Sequence, residues 1–152
     1  MKHDVLPVQI RGILPAPSGC ALFIGNDEKV FVINVESQMG AVIGMFLRDA
    51  PKERPLTHDL INRMFQGFGI SVERVVITDL KNSTYFARII LQQQNELARK
   101  IVELDARPSD CLALAAAQKK PIFVSANLFA QVEDMSEVLN KMNESGNDLE
   151  AE

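Results

Sequence analysis

The sequence predicts an α+β domain: a mixed, largely antiparallel β-sheet built from hairpins, with helices packed on it. Three observations carry that expectation. Short apolar runs rich in strand formers flank turn residues at Gly25-Asn26-Asp27 and at Lys81-Asn82-Ser83. Two segments, Glu36 to Arg48 and Thr57 to Phe68, switch to helical spacing of their apolar residues. At 152 residues and 47% apolar, the chain fits one domain with a real core.

Val5 to Leu14 alternates as a strand, and Pro15 to Gly19 reads as a loop. Cys20 to Ile24 and Val30 to Val35 form the first hairpin. In the helix that follows, Met39, Val42, Ile43, Phe46 and Leu47 share a face, and Gly40 and Gly44 permit close approach of another element. A polar loop from Asp49 to Pro55 leads to a second helix. Thr57 is its expected N-cap, Leu56 can staple to Ile61, and Leu60, Ile61, Met64, Phe65 and Phe68 form its expected buried stripe; Gly67 and Gly69 end it.

Val72 to Leu80 and Thr84 to Gln92 form a second hairpin, expected to be central and covered on both faces because Val75, Val76 and Ile77 are consecutive and apolar. Leu97 to Ala106 is a strand with one polar face. At Asp105-Ala106-Arg107-Pro108-Ser109-Asp110 strand gives way to helix: Arg107, before a proline, suits the N-cap, Pro108 the first helical position, and Asp110 the third, where its carboxylate can cap backbone N–H groups. The helix runs to Gln118, Pro121 to Val124 is a last strand, and Ser125 to Ala130 and Met135 to Met142 read as helical. The domain is placed at residues 1–132, with 133–152 a C-terminal helix and an acidic tail, disordered from Asn143.

A net charge of −4 and a pI near 5.2 argue against a broad electrostatic surface for nucleic acid, though Arg48, Lys52, Arg54, Lys119 and Lys120 leave room for a local basic groove. No apolar run approaches the roughly 20 residues of a membrane span, so no membrane partner is expected. Met1-Lys2-His3-Asp4 lacks signal-peptide shape, and Cys20 and Cys111 read as reduced core thiols, which together suggest a cytoplasmic protein.

Arg54-Pro55-Leu56-Thr57-His58-Asp59-Leu60, Val72-Glu73-Arg74-Val75-Val76-Ile77-Thr78-Asp79-Leu80, Tyr85-Phe86-Ala87-Arg88 and Asp105-Ala106-Arg107-Pro108-Ser109-Asp110, in that order, closely resemble the bifunctional nuclease domain family. The resemblance spans roughly residues 5 to 130. It implies an α+β fold, activity on DNA and RNA, and nucleic acid as partner.

Phosphodiester hydrolysis must stabilise charge on a pentacovalent phosphate and deliver a nucleophilic water, work suited to a divalent metal (Mg²⁺ or Mn²⁺) held by carboxylates and assisted by a cation. Asp105, Arg107, Asp110, His58 and Asp59 are the catalytic candidates. Asp105, Asp110 and Glu36 are the metal-ligand candidates, with Asp79 a further carboxylate at an element end. Arg54, Arg74, Arg88 and Ser109 are the substrate-binding candidates. No organic cofactor is expected. His58 is a candidate general base because imidazole is the side chain suited to proton transfer at neutral pH. The same residues also suit a structural network, in which Arg107 pairs with Asp105 or Asp110 while Asp110 caps its helix, and the chain is then a non-catalytic module binding an anion or a protein partner. A homo-oligomer is expected because several edge strands need covering, and the Gly40–Gly44 face with Met39 and Phe46 could pack between subunits as easily as within one.

Overall fold

Alternating apolar residues and turn chemistry produce seven strands, and the helices interrupt them where the hydrophobic period changes. The computed structural model describes residues 4–150. The strands are β1 (Val5–Ala16), β2 (Gly19–Gly25), β3 (Val30–Val35), β4 (Ile70–Lys81), β5 (Thr84–Gln94), β6 (Arg99–Ala106) and β7 (Ile122–Ser125). The helices are α1 (Ser37–Leu47), α2 (Thr57–Gly67), α3 (Pro108–Gln118), α4 (Ala126–Gln131) and α5 (Ser136–Glu150). One open sheet holds all seven strands in the order β3-β2-β1-β7-β4-β5-β6. Every pairing is antiparallel except β4 with β7.

The expected loop at Pro15 to Gly19 is instead a tight hairpin, with Ala16 opposite Gly19. Pro15 is tolerated inside β1 because β7 pairs only with Val5 to Val8, leaving the other edge of β1 free of a ladder further on. The β4–β5 hairpin turns on Asn82 and Ser83, both with positive φ (52° and 65°), the geometry a two-residue type I′ turn requires.

The main core gathers Leu22, Ile24 and Ile33 of β2 and β3, Val75 and Ile77 of β4, Ile43 and Phe46 of α1, and the Cys111–Ala116 face of α3. Phe31 of β3 and Tyr85 of β5 lie with ring centroids 5.9 Å apart although four strands separate them in the sheet, so the sheet is curled. A second cluster, Phe23, Val30 and Leu139, seats α5 on the other face of β2 and β3. That helix continues to Glu150, past the expected stop at Met142, so Asn143 to Glu150 is helix where a disordered tail was expected; residues 1–3 and 151–152 lie outside the described residues. The expectation that β4 is covered on both sides holds for its helix-facing side alone. Its other side presents Arg74, Val76 and Thr78 to an open groove of about 820 Å³ beside α4.

Gly40 lets α1 sit directly on β2. A Cβ there would come within 2.6 Å of the Cys20 Cβ and closer still to its sulfur. Met39 and Phe46 are buried inside the same chain, so of the two packings open to them they take the one within the subunit. Gly40→Ala is expected to destabilise the protein by about 1–3 kcal/mol through overpacking, despite alanine's better helix propensity. Gly67→Ala, where a Cβ meets nothing within 4 Å, is expected to be neutral or slightly stabilising. Urea unfolding of the two variants checks the contrast.

Candidate functional site

The preceding proline forces Arg107 into extended geometry (φ −63°, ψ 142°), and α3 starts at Pro108, as the sequence predicts. Asp110, however, does not cap the helix backbone. Its Oδ1 lies 2.9 Å from His58 Nε2 and its Oδ2 accepts from Arg107 Nε at 3.0 Å. Two charge-assisted bonds outcompete the cap for the same two oxygens. Arg107 also approaches Glu36, the N-cap residue of α1, with Nη1 to Oε1 at 3.8 Å. The starts of α1, α2 and α3 thus meet in one chain of groups: Glu36, Arg107, Asp110, His58.

His58 is 6% exposed, its ring edge-on to Phe46 with centroids 6.5 Å apart. An ionised carboxylate only accepts, so His58 Nε2 carries the hydrogen and donates it to Asp110. The bond to Asp110 commits Nε2 and leaves Nδ1 as the ring nitrogen that acid–base work would use, on a ring packed against Phe46. Asp59 is structural. Leu56, and not Thr57, holds the N-cap of α2, and Asp59 Oδ2 accepts from the Leu56 N–H at 2.8 Å. Lys52 Nζ lies 3.1 Å from Asp59 Oδ1 and 4.4 Å from the Phe46 ring centroid. The sequence offers Lys52 only as part of a basic cluster, because no local spacing joins it to Phe46 and Asp59.

Burial alone would raise the Asp110 pKa, but hydrogen bonds from Arg107 and His58 outweigh it and hold the carboxyl below the usual range. Burial acts the same way on Asp59 and is outweighed by the Leu56 N–H and Lys52. The hydrogen bond to Asp110 raises the Arg107 pKa, reinforced by the charges of Asp110 and Glu36. Burial pushes the Cys111 thiol up to about 12, helped by Asp110 and Asp105, so it is no nucleophile.

A model of the family described as "Bifunctional nuclease domain" matches residues 22–137. The chain belongs to the bifunctional nuclease domain family. It is similar to an uncharacterised protein of Mycobacterium tuberculosis, 31% identical over 106 residues, covering 70% of this chain and 60% of that one. It is also similar to Bifunctional nuclease 1 of Arabidopsis thaliana, 25% identical over 132 residues, covering 79% of this chain and 40% of that protein. Bifunctional nuclease 1 of Oryza sativa subsp. japonica is 30% identical over 105 residues, covering 68% and 31% respectively. The chain therefore spans less than two thirds of the length of these relatives.

Within this bifunctional nuclease domain the candidates separate into three places. Arg107, Asp110, His58 and Glu36 converge. Asp59 sits with Lys52, and Arg54 is exposed in the loop between them. Asp105 pairs with Arg88 across β5 and β6, and Glu103 with Ile90, so strand alternation puts Asp105 with Arg88 and Glu103 on the groove face that also holds Arg74. Arg88 is held by Glu103 at 3.8 Å. Ser109 is buried. Asp79 bonds the N–H of Leu80 at the β4 turn. Among the described residues no three His, Cys, Asp or Glu side chains gather to hold a metal. The trio Asp105, Asp110 and Glu36 does not fit one, because Asp110 spends both oxygens on His58 and Arg107, Glu36 faces Arg107, and Asp105 lies on another face. No described helix is long and apolar enough to cross a membrane.

Because the pKa values of Asp110 and Asp59 are lowered on folding, their contribution is complete above the ordinary carboxyl value of about 3.9 and is lost as pH falls through the lowered values. Asp110→Asn is expected to cost about 1–2 kcal/mol at neutral pH, allowing for partial exposure, and to flatten the acid limb of stability. Denaturant unfolding between about pH 2 and pH 7 measures both.

Proposed function

We propose that this chain hydrolyses phosphodiester bonds in DNA and RNA, with Arg107 as the group that binds the scissile phosphate. Membership of the bifunctional nuclease domain family supports the reaction class, and so do the names of the plant relatives. The observation that carries the residue assignment is the state of Arg107: 63% exposed, yet fixed by Asp110 from behind and flanked by Glu36. A guanidinium held in that way presents its remaining N–H groups to a phosphate without first having to be ordered, which is where preorganised charge contributes most to a phosphoryl transition state. His58 holds Asp110, Asp110 holds Arg107, and Glu36, an exposed carboxylate next to Arg107, is placed to take the proton of the attacking water.

A divalent ion enters this scheme as part of the proposal alone. No step is routed through it, because Asp105, Asp110 and Glu36 do not face one point. The rival reading, an anion-binding module without turnover, is favoured by one observation: His58 is buried and its Nε2 is already bonded.

Arg107→Ala is expected to lower cleavage of single-stranded DNA and RNA by about 100-fold while leaving the melting temperature within a few degrees, since the side chain is largely exposed. Assays with Mg²⁺, with Mn²⁺ and with chelator test the wild type and the variant side by side. A wild-type chain that is folded, binds the oligonucleotide and cleaves it under none of these conditions decides for the binding module.

A further inference from the structure

Tyr85 and Phe86 are adjacent aromatics on β5 that end on opposite faces of the sheet. Strand alternation sends Tyr85, Ala87 and Ile89 to the core side, where Tyr85 meets Phe31, and sends Phe86 and Arg88 to the groove face. Phe86 is 40% exposed and belongs to neither hydrophobic cluster. A single exposed phenylalanine is ordinary on a protein surface, so its neighbours decide what it is for. The ladder between β5 and β6 ends at Ala87 opposite Ala106. One step further in the same register, the residue opposite Phe86 is Arg107, still in extended geometry. Cross-strand neighbours stand about 5 Å apart, so the exposed ring and the exposed guanidinium leave adjacent backbone positions. On the other side of β5, Asp79 of β4 pairs with Phe86, and the register shifts between Ile77 and Asp79, which makes Thr78 the extra residue of a bulge. The Thr78 hydroxyl donates to the Phe86 carbonyl at 3.3 Å, and Lys81 Nζ lies 6.0 Å from the Phe86 ring centroid. Bulges recur beside sites, where they re-aim a side chain.

An open aromatic face with a cation on either side suits a nucleotide of an unpaired strand: a flat base between two phosphates. We propose that Phe86 stacks on the base of the nucleotide whose phosphate Arg107 binds, with the adjoining phosphate towards Lys81, so that the site takes single-stranded nucleic acid in preference to duplex. This deepens, and rests on, the phosphate-binding role proposed for Arg107. Lys81 also lies 3.4 Å from Asp79, but its side chain stays 68% exposed, and the other Asp79 oxygen accepts from the Leu80 N–H. In a duplex both faces of a base are stacked on its neighbours, so the base reaches Phe86 only after it is unstacked and unpaired, which costs free energy. An unpaired base offers its face without that cost. Every base has such a face, so the contact tolerates any sequence. Stacking reads the base and not the 2′ position of the sugar, so DNA and RNA both satisfy it.

The test is fluorescence anisotropy of the full chain with labelled oligothymidylate, oligouridylate, an abasic deoxyribose-phosphate chain of the same length, and a DNA duplex. Phe86→Ala is expected to weaken binding of both single strands roughly 5- to 100-fold, and Phe86→Tyr to keep it. The wild type is expected to bind the abasic chain and the duplex more weakly than oligothymidylate by a comparable factor, and Phe86→Ala to lose the discrimination against the abasic chain. Circular dichroism checks folding; should Phe86→Ala unfold the chain, Phe86→Leu, which keeps apolar bulk and lacks the aromatic face, takes its place with the same expectation. Three results overturn the stacking and leave the role of Arg107 standing: Phe86 variants that bind as the wild type does while Arg107→Ala binds weakly, an abasic chain bound as tightly as oligothymidylate, or a duplex bound as tightly as a single strand. Unchanged binding by Arg107→Ala, or a folded wild type that binds no oligonucleotide, overturns the role of Arg107 and the stacking with it.

Discussion

The Asp110 carboxylate is the contact on which the arrangement around it depends. It joins the first turn of α2 to the first turn of α3 and fixes the guanidinium that leaves β6. Its importance follows from how α2 is built. Of the apolar residues on that helix, Ile61 and Phe65 pack in part against the core, while Leu60, Met64 and Phe68 face outward. Apolar burial alone therefore holds α2 weakly. Polar ties position it instead: His58 to Asp110 at the start, Asn62 to Gln118 at 2.8 Å in the middle, and the Phe68 carbonyl to Gln93 at 2.9 Å at the end. Gln118 in turn accepts from the Val72 N–H, which carries the tie into the central strand. Each tie is satisfied at both ends, the condition under which a part-buried polar network is stabilising and specific.

Local chemistry was legible in the sequence wherever it decides structure locally. Arg107 and Pro108 set the start of α3 because proline restricts both itself and the residue before it, and no tertiary contact has to be known for that. Asn82 and Ser83 mark their turn for the same reason. Legibility ended where a choice depended on distant residues. Thr57 is a better intrinsic cap than Leu56, yet Asp59 reaches back to the Leu56 N–H while Lys52 holds it there, and the helix starts one residue earlier than intrinsic preference suggests. The apolar stripe of α2 has the right period, but periodicity shows only that apolar residues share a face, and part of that face points to solvent.

The site illustrates the same limit. Asp105 and Asp110 bracket Arg107 in six residues, and proximity in sequence suggested a joint metal site. The strand-to-helix change undoes it. Alternation along β6 sends Asp105 to the groove face with Arg88 and Glu103, while the turn of α3 swings Asp110 toward His58, 52 residues away in the chain. Two carboxylates that look paired in one dimension face different sides of the fold in three.

A net charge of −4 and a phosphate-binding role are compatible once the charge is located. Long-range attraction needs many exposed cations, and several here face carboxylates: Arg11 with Asp27, Lys81 with Asp79, Arg88 with Glu103, Lys119 with Asp49. Such pairs add little to a distant field, and salt screens what is left. Arg107 is paired as well, but both its partners lie on one side of a side chain whose remainder is open to solvent. Its carboxylates orient the guanidinium more than they cancel it at the distance of a hydrogen bond, where direction decides the interaction energy. Under the proposed role, recognition of a phosphate by Arg107 would be short-range and geometric, which is the kind of site that arginine's planar fork serves and a lysine's point charge does not.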